Sequence, residues 1–200
     1  LEHLIIRGKD SEATGLPLIL ERIAENITVS FCPNSSSSPE SIVFFPEYYE
    51  WLDEISPAHI FSRSIHGEGF RMRKSFENGI LNYRKYDSCL ENAFTVESPE
   101  SLCKIALNRL RWPSRLEGIF REKYENVIKK YMGTAFTLAV KDQDFPMLQF
   151  ICEHFSPDAS ALASAIDQCI EKEWGEGNAF LIEAKHKSFS KKTFDFDLDF

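Results

Sequence analysis

GTAFTLAVKDQDFPMLQFICEHFSPD, Gly133 to Asp158, carries two apolar stripes separated by the charged knot Lys141-Asp142-Gln143-Asp144. Phe136, Ala139 and Val140 fall three and four apart before the knot, and Leu148, Ile151 and Cys152 do so after it. That spacing places each set on one face of a helix. A short amphipathic helix that stops at a polar corner and is followed at once by another is a helix pair, predicted over 134–142 and 145–154.

Helical signals extend to both sides of this pair. Ser-Pro steps at Ser56-Pro57, Ser98-Pro99 and Ser156-Pro157 read as helix starts, and Glu100 and Asp158 complement the helix dipole. Segments 87–96 and 98–111 form a candidate pair, interrupted by Trp112-Pro113-Ser114. Leu116, Ile119, Phe120, Tyr124, Val127, Ile128 and Tyr131 predict one long amphipathic helix, capped by Ser114 and ended by Gly133. Segments 157–173 and 178–187 make a further pair around Trp174-Gly175-Glu176-Gly177. The first third is irregular. Helices are predicted over 16–27 and 46–54 (PEYYEWLDE), and Ile27 to Phe31, Ser41 to Phe45 and Phe70 to Phe76 have the alternating or β-branched character of a small hairpin or extended connections. The resulting expectation is a mainly α fold of stacked antiparallel helix pairs. It divides into an irregular α(+β) region over 1–85, a helical-pair region over 86–190 and an acidic-aromatic tail over 191–200.

The quoted stretch resembles an ankyrin repeat. Thr134, Phe136 and Ala139 match the family's first helix without gaps, with Ala135 and Thr137 standing for its Pro and His. Leu148 and Ile151 match the second helix, and Glu153 and His154 occupy its polar end. Leu1-Glu2-His3-Leu4-Ile5-Ile6-Arg7-Gly8-Lys9-Asp10 is similar to the end of an outer ankyrin helix entering its glycine turn. The chain departs from the family where Gln143 and Phe155 replace glycines, and Thr134 and Ser160 are closer together than its repeat of about 33 residues. The resemblance implies an α-solenoid in which Phe136, Leu148 and Ile151 fill the core between units. It also implies a non-catalytic adaptor or scaffold that binds a partner protein through its helical surface.

Composition narrows the function classes. The 200 residues are 43% hydrophobic and 27% charged, with 17 Phe, 9 Gly and a net charge of −8. Apolar runs are too short to span a bilayer, and no secretory leader is visible, so an intracellular, cytoplasmic protein is expected. Five cysteines without a CxxC pair fit reduced thiols. Charge is uneven: residues 1–60 carry 3 basic and 10 acidic groups, 61–130 carry 14 and 9, and 131–200 carry 6 and 12. The basic middle either faces an anionic partner or is matched by the chain's own acidic ends.

No cofactor or metal is expected. The five His form no HxxxH or HExxH pair, and Cys152-x-His154 is alone, whereas a structural zinc site needs four ligands. There is no phosphate loop, dinucleotide fingerprint or nucleophile elbow. One segment, Ser64-Ile65-His66-Gly67-Glu68-Gly69, sets an imidazole and a carboxylate among glycines. The rival to an adaptor is therefore a transferase or hydrolase whose pocket joins the first third to the helices, with His66 and Glu68 as acid and base. Candidate partner anchors are Arg109, Arg111, Trp112 and Arg115 at the break between helices, because Trp and Arg concentrate binding energy. Overall acidity opposes nucleic acid as the partner of that cluster. In the tail, Phe194, Phe196 and Phe200 alternate with aspartates at strand period, which suits either a partner's sheet edge or the chain's own surface.

Overall fold

The computed structural model describes residues 1–8, 15–36, 38–55 and 60–192, with backbone alone at 53–55, 60–61 and 188–192. The chain forms two compact units, Leu1–Glu125 and Asn126–Phe200. It is mainly α, with a small sheet and two hairpins towards its N-terminus.

In the N-terminal unit, β1 (His3–Arg7) leads through α1 (Leu16–Leu20) to β2 (Ile27–Cys32), and β3 (Ser41–Phe45) follows. The sheet order is β1-β2-β3, with β1 parallel and β3 antiparallel to β2. A hairpin of β4 (Tyr49–Ile55) and β5 (Ile60–His66) comes next, in the register Tyr49↔His66. Then α2 (Gly69–Arg73) precedes β6 (Phe76–Glu77) and β7 (Ile80–Leu81), which are joined at Asn78 (φ 52°) and Gly79 (φ 80°). Asn-Gly adopts positive φ at both positions with little strain, as such a two-residue connection requires. The unit continues with α3 (Tyr83–Ser88), α4 (Leu90–Val96) and α5 (Pro99–Arg111). Across β3 lies α5. Ile27, Val29, Val43, Phe45, Leu102, Ile105 and Ala106 are buried in this unit.

The unit boundary falls inside α6 (Gly118–Lys130). The C-terminal unit adds α7 (Met132–Lys141), α8 (Phe145–Phe155), α9 (Ala159–Glu171) and α10 (Gly175–Lys192). α7 packs on α8 and α9, and α10 packs on α9 and α8. The predicted core positions Phe136, Leu148 and Ile151 are each fully buried.

Two corners in this unit have the same construction. After α7, the amides of Asp142, Gln143 and Asp144 donate to the carbonyls of Leu138, Val140 and Ala139. Thirty positions later, the amides of Lys172, Glu173 and Trp174 donate to Gln168, Ile170 and Cys169. Gln143 (φ 49°) and Glu173 (φ 53°) both take the left-handed turn that releases the helix. The next helix then opens alike, with Leu148 N–H bonded to Asp144 and Asn178 N–H to Trp174. At three pairs of positions with this shift both residues are fully buried, Ala135 and Ala165, Ala139 and Cys169, and Ile151 and Leu181, whereas Val140 is buried and Ile170 exposed. Small residues at the first two positions let neighbouring helices approach closely.

Several sequence expectations are corrected. Leu4-Ile5-Ile6 is a strand rather than the end of a helix, because it pairs with Val29, Ser30 and Phe31. PEYYEWLDE is largely β4, held by cross-strand bonds to β5. The 16–27 helix stops at Leu20, and Phe70–Arg73 is helical rather than extended. The long helix over 114–132 begins at Gly118 and breaks at Tyr131, so Gly133 lies within α7 instead of ending α6. Ser156 (φ 45°) closes α8, and it is Asp158 whose side chain caps α9 by accepting from Ala161 N–H. Ser98 does cap α5, accepting from Ser101 N–H. The expected helix start at Ser56-Pro57 and the tail with Phe194, Phe196 and Phe200 lie outside the described residues.

Candidate functional site

The glycines around His66 serve a close backbone approach. A Cβ on Gly69 would sit 1.9 Å from the Pro46 carbonyl oxygen, and one on Gly67 (φ 92°) would sit 2.7 Å from that of Glu47. Only glycine lets α2 start beneath the chain entering β4. This tight path puts His66 and Glu68 on one cleft of about 580 Å³, shared with Tyr49, Phe70, Arg71 and Asn92. Their roles within it differ. His66 is exposed and stacks on Tyr49, with ring centres 5.2 Å apart. Glu68 is buried; its carboxylate accepts from the Asn92 amide and lies 3.2 Å from the Arg71 guanidinium. Its own N–H donates to Glu97 Oε1 at 2.7 Å. Glu68 thus clamps the start of α2 to α4.

Among the described residues no hydrogen bond joins His66 to Glu68. Burial raises the Glu97 carboxyl above its ordinary value despite the N–H it accepts. Its contribution to stability is therefore present in acid and lost as pH rises through that raised value. Burial pushes the thiol of Cys89 to about 11, and those of Cys103 and Cys152 to about 12, leaving little thiolate near neutrality. No group of three or more His, Cys, Asp or Glu among the described residues is placed to hold a metal ion. No described helix is long and apolar enough to cross a membrane.

The corner after α5 is built around a buried ion pair. Arg109 is fully buried, and its Nε and Nη2 donate to the two Asp87 carboxylate oxygens at 2.8 and 2.9 Å. Asp87 Oδ1 also accepts from the Tyr124 hydroxyl at 2.8 Å. The remaining Arg109 donors reach the Ser114 carbonyl at 3.2 Å, and the guanidinium lies 4.7 Å above the Tyr83 ring. Burial acts to lower the Arg109 pKa, but the hydrogen bonds and charge of Asp87 outweigh it and hold it above its ordinary value. Arg109 therefore fixes the corner from inside and has no surface to offer.

What the corner presents outward is the rest of the predicted set. Arg111 and Trp112 are half-buried, with the guanidinium 4.5 Å from the indole centre, and Arg115 is exposed in left-handed backbone (φ 50°). Arg115 borders a shallow groove of about 460 Å³ with Tyr83, Arg84 and Glu117. Sequence reasoning found Arg109 but not its partners. Asp87 and Tyr124 lie 22 and 15 positions away on other helices, and neither carries a local motif. No family model, curated protein or solved structure matches this chain.

Proposed function

We propose that the chain is a non-catalytic protein–protein interaction module of adaptor type, whose C-terminal unit is a short solenoid of stacked helix pairs. The observation that carries this reading is the repetition of the helix-ending corner, with three matched buried positions, at a shift of thirty residues. Such a unit buries its core between neighbouring pairs and leaves the helix faces and corners as a rigid surface. The N-terminal unit contributes the anchor we favour, Arg111 stacked on Trp112, with Arg115 beside it. The internal Asp87–Arg109 pair preorganises this corner, which lowers the ordering cost of binding.

The rival enzyme has one observation in its favour, the cleft that His66 and Glu68 share. The stacking of His66 on Tyr49 and the clamping of Glu68 to Asn92 speak for structural roles instead. Quantitative affinity capture separates the two readings. Arg111→Ala with Trp112→Ala is expected to deplete specific partners at least about tenfold, as losing a hot-spot aromatic does, while His66→Ala keeps them. Unchanged capture by the corner variant would remove the corner from the reading.

A further inference from the structure

The molecule buries two arginines in different ways. Arg109 faces a carboxylate through two parallel bonds. Arg73, at the end of α2, is 2% exposed and faces only carbonyls and rings. Its Nη1 donates to Pro46 O at 2.6 Å and Gly69 O at 2.9 Å, and its Nη2 to Glu25 O at 2.6 Å. The rings of Phe45 and Tyr48 lie 5.8 and 5.0 Å from the guanidinium carbon. Among the described residues, Nε has no acceptor and no carboxylate stands at ion-pair distance. Burial accordingly lowers the Arg73 pKa to about 10. A full positive charge has been taken out of water without a counter-charge, which is costly unless something supplies one.

Arg73 borders a cleft of about 280 Å³ whose other described lining residues are Glu21, Tyr48, Glu50, Arg63, Phe70 and Lys74. At the rim, Lys74 pairs with Glu21 and Arg63 with Glu50. Both pairs are roughly half exposed, so exchanging either carboxylate for another anion costs little. Among the described residues, three cations here face two carboxylates. The deficit is one negative charge, beside aromatic walls, in a space that suits a small ion. We propose that this cleft binds a compact oxyanion of the phosphate type, with Arg73 as its buried positive anchor and Lys74 and Arg63 turning from their carboxylates to hold it.

The probe is inorganic phosphate, titrated into the full chain at constant ionic strength with chloride as the balancing anion. Calorimetry and backbone NMR are expected to show saturable binding, with amide shifts centred on Glu50, Arg63 and Lys74. Lys74→Gln and Arg63→Gln should each weaken binding about tenfold, as the loss of one charge-assisted contact does. Glu21→Gln and Glu50→Gln should each strengthen it several-fold by removing a competing carboxylate. These four side chains are at the surface, so their variants keep the fold even where Arg73 substitutions do not. Absence of saturable binding, or binding indifferent to all four substitutions, would overturn the proposal.

Discussion

Asp87→Ala is expected to destabilise the N-terminal unit by about 3–5 kcal/mol, the usual cost of removing one member of a buried ion pair. The loss has two sources. Arg109 keeps its charge in a site with no solvent, bonded only to carbonyls, and the Tyr124 hydroxyl loses its acceptor. Removing the charge pair as a whole has a different consequence. Asp87→Leu with Arg109→Met and Tyr124→Phe should recover much of the loss, because the buried charges and the hydroxyl are removed together and only the Ser114 and Trp112 carbonyls lose a donor. Against a total stability of about 5–15 kcal/mol, the single substitution is large enough to populate unfolded chains. Urea unfolding followed by tryptophan fluorescence reads it, since Trp51 and Trp112 belong to this unit and Trp174 to the other. A loss below about 1 kcal/mol would mean that water reaches Arg109 and that the corner is not held from within.

The second large effect concerns the helix pairs of the C-terminal unit, which we propose to be repeats. Ile151→Ala and Leu181→Ala are each expected to cost about 2–5 kcal/mol, from lost transfer energy and the cavity left behind. Both side chains are fully buried and lie thirty residues apart. Each pair contacts its neighbour, α7 with α9 and α8 with α10, so the two substitutions should be coupled rather than additive. Thermal unfolding of the single and double variants gives that coupling directly. Full additivity would indicate two helix pairs that happen to adjoin.

Local signals carried much of the helical architecture. Ser98-Pro99 marked the start of α5 because the cap and the first turn both lie within three residues. The apolar stripes of α7 and α8 were legible because a period of 3.6 needs only ten residues to show. Failures came where pairing is distant. Leu4-Ile5-Ile6 is too short for periodicity to separate strand from helix, and its partner Val29-Ser30-Phe31 lies beyond α1. PEYYEWLDE has a proline and acids that suit a helix, yet its Tyr and Trp suit a strand equally once β5 is opposite. Asn78-Gly79 between short apolar pairs was a usable hairpin signal that the pattern reading passed over. For the sites, Trp112 and its arginines stood out as a cluster, but the burial of Arg109 and the uncompensated charge of Arg73 depend on which residues surround them. Nothing in one dimension distinguishes those two arginines.

Hydrogen exchange on the full chain tests the repeat beneath the functional reading. The amides of Asp144 and Trp174 close the two corners by donating to Ala139 and Cys169. Equivalent, stacked helix pairs predict that both are strongly protected and that their protection agrees to within about tenfold. Exchange of either amide at the rate of an open chain, with the other protected, would contradict it.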